Sequence, residues 1–133
     1  MTHAATPEAV LCSAYRDQAE RYRQAGALAE SLPALLRSGD DHSEGLGRVM
    51  ALLAEVAAIE ERVRPLKEQW TRGGSTPGPE LRAVLTEATQ LIQRLAQSLA
   101  AAEQEAAARH ERLVPQVDAV IRARAMRRAY GPA

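Results

Sequence analysis

Val49, Leu52, Val56, Ile59, Val63, Leu66 and Trp70 fall at alternating spacings of three and four residues. That alternation lines up one face of a helix and is the seam of helices packed lengthwise on one another. It recurs twice. Leu81, Leu85, Ala88, Ile92, Leu95, Leu99, Ala102 and Ala106 keep the same rhythm, as do Leu11, Tyr15, Gln18, Tyr22, Ala25, Ala29, Leu32 and Leu36. The chain is predicted to be all-α, with three long antiparallel amphipathic helices in a bundle or coiled coil, the third overlong.

The chain has 133 residues, enough for one domain with a modest core. Its hydrophobic fraction of 46% overstates that core, because much of it is alanine, which favours helix but buries little area. Phe is absent and aromatics make up 3%, so Leu, Val and Ile must carry the packing. A slender bundle is expected.

Seventeen basic and seventeen acidic residues balance to zero net charge, which argues against a dedicated nucleic-acid binder. The distribution is uneven: no acid follows Asp118, where Arg122, Arg124, Arg127 and Arg128 stand close together. Lys67 is the only lysine, a preference read first as GC-rich coding. Cys12 is the only cysteine, so no intramolecular disulfide is available. No Lys or Arg occurs in the first fifteen residues, and no apolar run reaches membrane-spanning length. A cytoplasmic protein is expected, with no membrane role.

Thr6-Pro7-Glu8 predicts the start of the first helix, with Thr as N-cap, Pro in the first turn and Glu facing the positive helix end. It runs to about Arg37, where Ser38-Gly39 stops it, and Pro33 is expected to kink or end its regular part near Ser31. Asp41 and Glu44 have capping-box spacing ahead of a second helix over about 43–70, kinked at Pro65. TRGGSTPGP, residues 71–79, reads as a linker. The third helix then covers about 80–128. At ~1.5 Å per residue it would be roughly 70 Å long, against ~45 Å for either of the others. It must either break, at Pro115, or protrude.

That mismatch locates the candidate site. Leu113, Val117, Val120 and Ile121 form an apolar stripe in the uncovered third, bordered by arginines. An exposed stripe of this kind marks a protein-partner site. The alternatives are a homodimer that buries it and a helix that folds back at Pro115. The basic end itself has three readings: favourable charge at a helix C-terminus, a docking segment with Arg124 and Arg128 beside the apolar anchors Met126 and Tyr130, or nucleic-acid binding.

No catalytic or cofactor constellation accompanies the helices. Asp40, Asp41, His42 and Glu44 are consecutive connector residues better explained by capping than by a metal. His110-Glu111 opens like a zinc-protease motif, but Val114 stands where its second His is needed. Cys12 has no activating neighbour and reads as a buried structural thiol. Gly45-Leu46-Gly47 lacks the preceding strand and following Lys of a phosphate loop. Tyr15 and Tyr22 read as core or boundary residues and Trp70 as a plug for the end of the bundle. No enzyme, cofactor or metal is expected.

The stretch LGRVMALLAEVAAIEERVRPLKEQW from Leu46 to Trp70, the Gly/Pro break, and LRAVLTEATQLI from Leu81 to Ile92 resemble the central pattern of the flagellar type III export chaperones that escort hook-associated proteins. The resemblance covers roughly residues 46–130. It implies a small, bacterial, mostly helical, non-enzymatic protein whose C-terminal amphipathic segment holds an export substrate. Carried onto this chain, Leu113, Val117, Val120 and Ile121 would be the holding stripe, and Tyr130 would match a C-terminal tyrosine that engages the export gate. The expected partner is then a flagellar hook-associated subunit or an export component. The alternative is a structural coiled-coil protein that self-associates through its C-terminal helix.

Overall fold

The computed structural model describes residues 6–130, apart from the side chain of Tyr130, and it is an all-α bundle. Three helices follow one another: α1 (Pro7–Ser38), α2 (Ser43–Arg72) and α3 (Pro79–Tyr130). Thr6 caps α1, its Oγ1 accepting the Ala9 N–H at 3.1 Å. Gly39 closes the same helix at φ 77°, a left-handed conformation that glycine adopts without a Cβ clash. The N–H of Asp40 then donates to the Leu35 carbonyl at 3.0 Å, satisfying an end group of α1. α3 is anchored at its start from across the bundle, where the Gly78 N–H donates to the Glu8 carboxylate at 2.5 Å.

Several local expectations change. α1 does not end near Ser31 but continues through Pro33 to Ser38, because Leu32 and Leu36 are both buried and hold the last turns down. Each such side chain contributes roughly 1.5–3 kcal/mol of burial, which together offsets the ~3 kcal/mol cost of an interior proline. α2 is a single helix through Pro65, as the seam on both sides of that proline led one to expect. Its N-cap is His42, without a side-chain cap. Asp41 instead accepts the Ser43 N–H at 2.9 Å, two residues on, so the Asp41–Glu44 capping box does not form. Thr71 and Arg72 belong to α2 and Pro79 to α3, which shortens the linker to residues 73–78.

α1 is the shared element. It packs against α2 on one flank and α3 on the other, while the backbones of α2 and α3 make no close approach among the described residues. The reason lies in side-chain size. Ala14, Ala19, Ala25 and Ala29 are buried along α1, with Cys12, so both neighbours can settle close to its backbone. The larger groups come from the other helices: Val49, Leu52, Val56, Ile59 and Val63 from α2, and Leu81, Val84 and Leu95 from α3. Tyr15, Leu66, Trp70 and Leu85 are half-buried against the cluster around Leu11, Ile59 and Leu81. Ile92, expected in the seam, is exposed, as is Ala106.

Polar pairs define the register. Gln18, the buried polar side chain of the core, donates to the Val56 carbonyl at 3.3 Å and to Glu60 at 3.2 Å. Arg21 lies 3.6 Å from Glu55, so α2 runs antiparallel to α1. Arg16 pairs with Glu80 and Arg23 with Glu87, both 64 residues apart, and Arg37 pairs with Glu105 at 3.2 Å, 68 apart. A nearly constant offset means that α1 and α3 run parallel. These pairs are solvent-exposed and worth at most about 1 kcal/mol each, so they select the register more than they stabilise it.

Candidate partner-binding site

α1 stops opposite Arg109: a Cβ built on Gly39 would lie 3.9 Å from Nη2 of that arginine. α3 continues to Tyr130 without a break at Pro115. Residues 110–130 therefore form an arm of roughly 30 Å with no other helix beside it. The third helix protrudes; it neither breaks nor folds back.

The arm's apolar stripe continues the border of the core face of α3. Leu85, Ile92, Leu99, Ala106, Leu113 and Val120 are spaced by seven, so one line of positions runs from the body into the arm. In the body α1 covers the neighbouring line, Leu81, Ala88, Leu95 and Ala102, which is buried. Beyond Arg109 the cover is missing. Leu113, Val117, Val120 and Ile121 are 45–57% exposed, far more than core residues of the same types.

Val114, at 41% exposure, joins the stripe and was not anticipated. Its position three residues before Val117 was the available signal. At about 100° per residue, Leu113 and Ile121 lie about 40° to either side of Val117, and Val114 and Val120 about 60° to either side. The stripe is thus symmetric about Val117. Arg124 and Arg128, both exposed, extend the same face toward the end of the helix. Met126 does not: it points away, about 180° from Val117, and is excluded as an anchor on this face. Tyr130 ends α3, and its side chain lies outside the described residues.

At the foot of the arm the stripe opens into a shallow recess of about 210 Å³ between the three helices, lined by Leu32, Leu36, Leu46, Leu99, Ala102 and Ala106. His42 and Glu103 stand at its edge. Leu46 is 40% exposed, so apolar surface continues from the body onto the arm. The charge is asymmetric. Arg109, Arg112, Arg122, Arg124, Arg127 and Arg128 face only Glu111 and Asp118 as acids in the arm region, while the neutral chain keeps an equal negative excess elsewhere.

A few titratable side chains elsewhere are engaged within the bundle. Lys67 donates to Glu60 at 3.0 Å and sits 5.8 Å from the centre of the Tyr15 ring. The bond from Lys67, and then that from Gln18, hold the Glu60 carboxyl below its ordinary value despite partial burial. Burial pushes the Cys12 thiol up, the condition of an unreactive core cysteine. Among the described residues no three His, Cys, Asp or Glu side chains converge on a metal-sized site. None of the described helices is long and apolar enough to cross a membrane. The arrangement offers a basic, apolar helix surface of the kind that receives another helix. Comparison with protein-family models, curated proteins and solved structures finds no match for this chain.

Proposed function

We propose that this protein is a non-catalytic helix-binding protein whose arm holds an amphipathic helix of another protein. The observation that supports this reading is the uncovered apolar face at the end of α3, where Leu113, Val114, Val117, Val120 and Ile121 lie exposed in one stripe. A second helix laid there would take the place that α1 occupies in the body and bury that face.

In its specific form, the protein is a bacterial, cytoplasmic flagellar export chaperone, and the captured helix belongs to a hook-associated subunit. The support for this form is the resemblance of residues 46–130 to that chaperone family together with the projecting arm. Holding the subunit's helix against the arm would block premature assembly, with the basic end and Tyr130 left for an export component. The test is co-purification of the host's hook-associated subunits with the full chain and with a chain truncated after Arg112. Retention by the full chain and loss on truncation supports the chaperone reading. Retention by neither sinks it.

The symmetry of the stripe about Val117 supports a second reading, a structural coiled coil in which two arms pair antiparallel. Leu113 would then share a layer with Ile121 of a second copy, and Val114 with its Val120, as in an isologous dimer. Sedimentation of the full chain over a wide concentration range separates the two readings.

A further inference from the structure

We infer that the helix received by the arm is acidic along the flank that meets Arg109 and Arg127, opposite the side that carries Glu111 and Asp118, and that the arm selects against both basic helices and a second copy of this chain. The inference rests on the helix-binding reading and names the chemistry of the partner.

The case begins in the body, where α3 presents acids to α1: Glu80 meets Arg16, Glu87 meets Arg23 and Glu105 meets Arg37. Along that flank the body of α3 carries Glu80, Glu87 and Glu105 with Arg94 among them, whereas the arm carries arginine alone. Arg112 follows Glu105 by one heptad, and Arg109 and Arg127 lie on that side at about 80° from Val117. A helix with a basic flank, such as α1 presents to α3 through Arg16, Arg23 and Arg37, suits the body and is repelled by the arginine flank of the arm. An acidic helix with the same apolar spacing suits the arm and is repelled by the body. The change in flank charge therefore both defines the partner and marks where on α3 it binds.

A second copy satisfies the apolar stripe but not its borders. In an antiparallel pair centred on Val117, Arg127 of one copy comes beside Arg109 of the other on both sides. Asp118 comes beside Asp118 across the two-fold axis, and Arg124 faces His110. An acidic helix replaces each of the arginine clashes with an ion pair and extends them to Arg124 and Arg128. Both arginines are exposed and lie in line with the stripe.

The experiment measures binding of labelled 21-residue helical peptides to the full chain by fluorescence anisotropy. Three peptides share one Leu/Ile heptad seam and carry glutamate, glutamine or lysine at the flanking positions; a scrambled glutamate peptide controls for charge alone. The glutamate peptide is expected to bind about tenfold or more tightly than the lysine peptide at low salt, with the gap closing as salt rises. Arg109→Glu with Arg127→Glu, both outside the core, is expected to invert that order. Val117→Glu is expected to weaken all seam peptides about tenfold or more without changing helicity or thermal midpoint. Equal binding of the glutamate and lysine peptides overturns the inference while leaving helix binding intact. Binding of none overturns the helix-binding reading itself. A chain that sediments as a dimer, becomes monomeric with Val117→Glu and ignores the glutamate peptide overturns the inference in favour of self-pairing.

Discussion

Replacing Ala25 by leucine tests the central claim about the architecture, that α1 is a thin helix clasped from two sides. Ala25 and Ala29 have no solvent exposure, and the cluster around them joins Leu32 of α1, Val49 and Leu52 of α2, and Leu95 of α3. Three carbons added at a site with no solvent exposure and helices on two sides must push a neighbouring helix outward. Overpacking of a well-filled site costs about 1–3 kcal/mol. The intrinsic helix preference changes by only a few tenths of a kcal/mol between Ala and Leu, so propensity does not account for a loss of that size. Ala27, exposed on the same helix, supplies the control: Ala27→Leu should shift stability by only a few tenths of a kcal/mol. At roughly 3–5 °C per kcal/mol for a chain of this length, Ala25→Leu should lower Tm by about 3–15 °C. Urea and thermal unfolding followed by far-UV circular dichroism, at one fixed protein concentration, provide the measurement. If Ala25→Leu unfolds at the same midpoint as Ala27→Leu, α1 is not packed closely by both neighbours.

Gly39→Ala should destabilise by about 1 kcal/mol, because φ 77° places a Cβ in the left-handed region. Gly73→Ala, at φ −70°, should be neutral or gain a few tenths of a kcal/mol, and equal urea midpoints for the two variants would contradict this account of the α1 end. Glu60 has a carboxyl lowered in the folded chain, so its contribution is full above the ordinary carboxylate range and is lost as pH falls through the folded value. Between about pH 5 and pH 3, Glu60→Gln should therefore lose less stability than the unaltered chain; parallel pH–stability curves would reject the Lys67–Glu60–Gln18 account. Cys12 should react slowly with a thiol reagent in the native chain and rapidly in urea, since burial both shields the sulfur and disfavours its thiolate. A native rate equal to the unfolded one would place the thiol at the surface instead.

Much of the fold was legible because helical seams are periodic. The three/four alternation from Val49 to Val63 is buried as read, and Thr6 and Gly39 bound α1 where their local chemistry requires. The heptad line through Leu113 and Val120 was also visible, so the arm's stripe could be located before its exposure was known. Local signals failed where distant burial outweighed them. Pro33 sits within a continuous α1 because Leu32 and Leu36 are gripped by other elements, and Asp41 caps Ser43 through a turn that spacing alone does not reveal. Met126, read as an apolar anchor of the basic docking segment, lies on the far side of α3 from the stripe, a matter of helical phase.

By itself, the sequence determined that the chain forms amphipathic helices, roughly where they begin and end, and that the third outruns the others. Those properties follow from residue spacing and from backbone preferences at Gly, Pro and Thr, which act locally. Only the tertiary structure decided that α1, with its alanines, lies between α2 and α3, since a periodic stripe does not say which helix will cover it. The parallel offset of α1 and α3 came from the same assembly, through Arg16–Glu80 and Arg23–Glu87. That offset sets the end of α1 beside Arg109, and so fixes where α3 loses its cover.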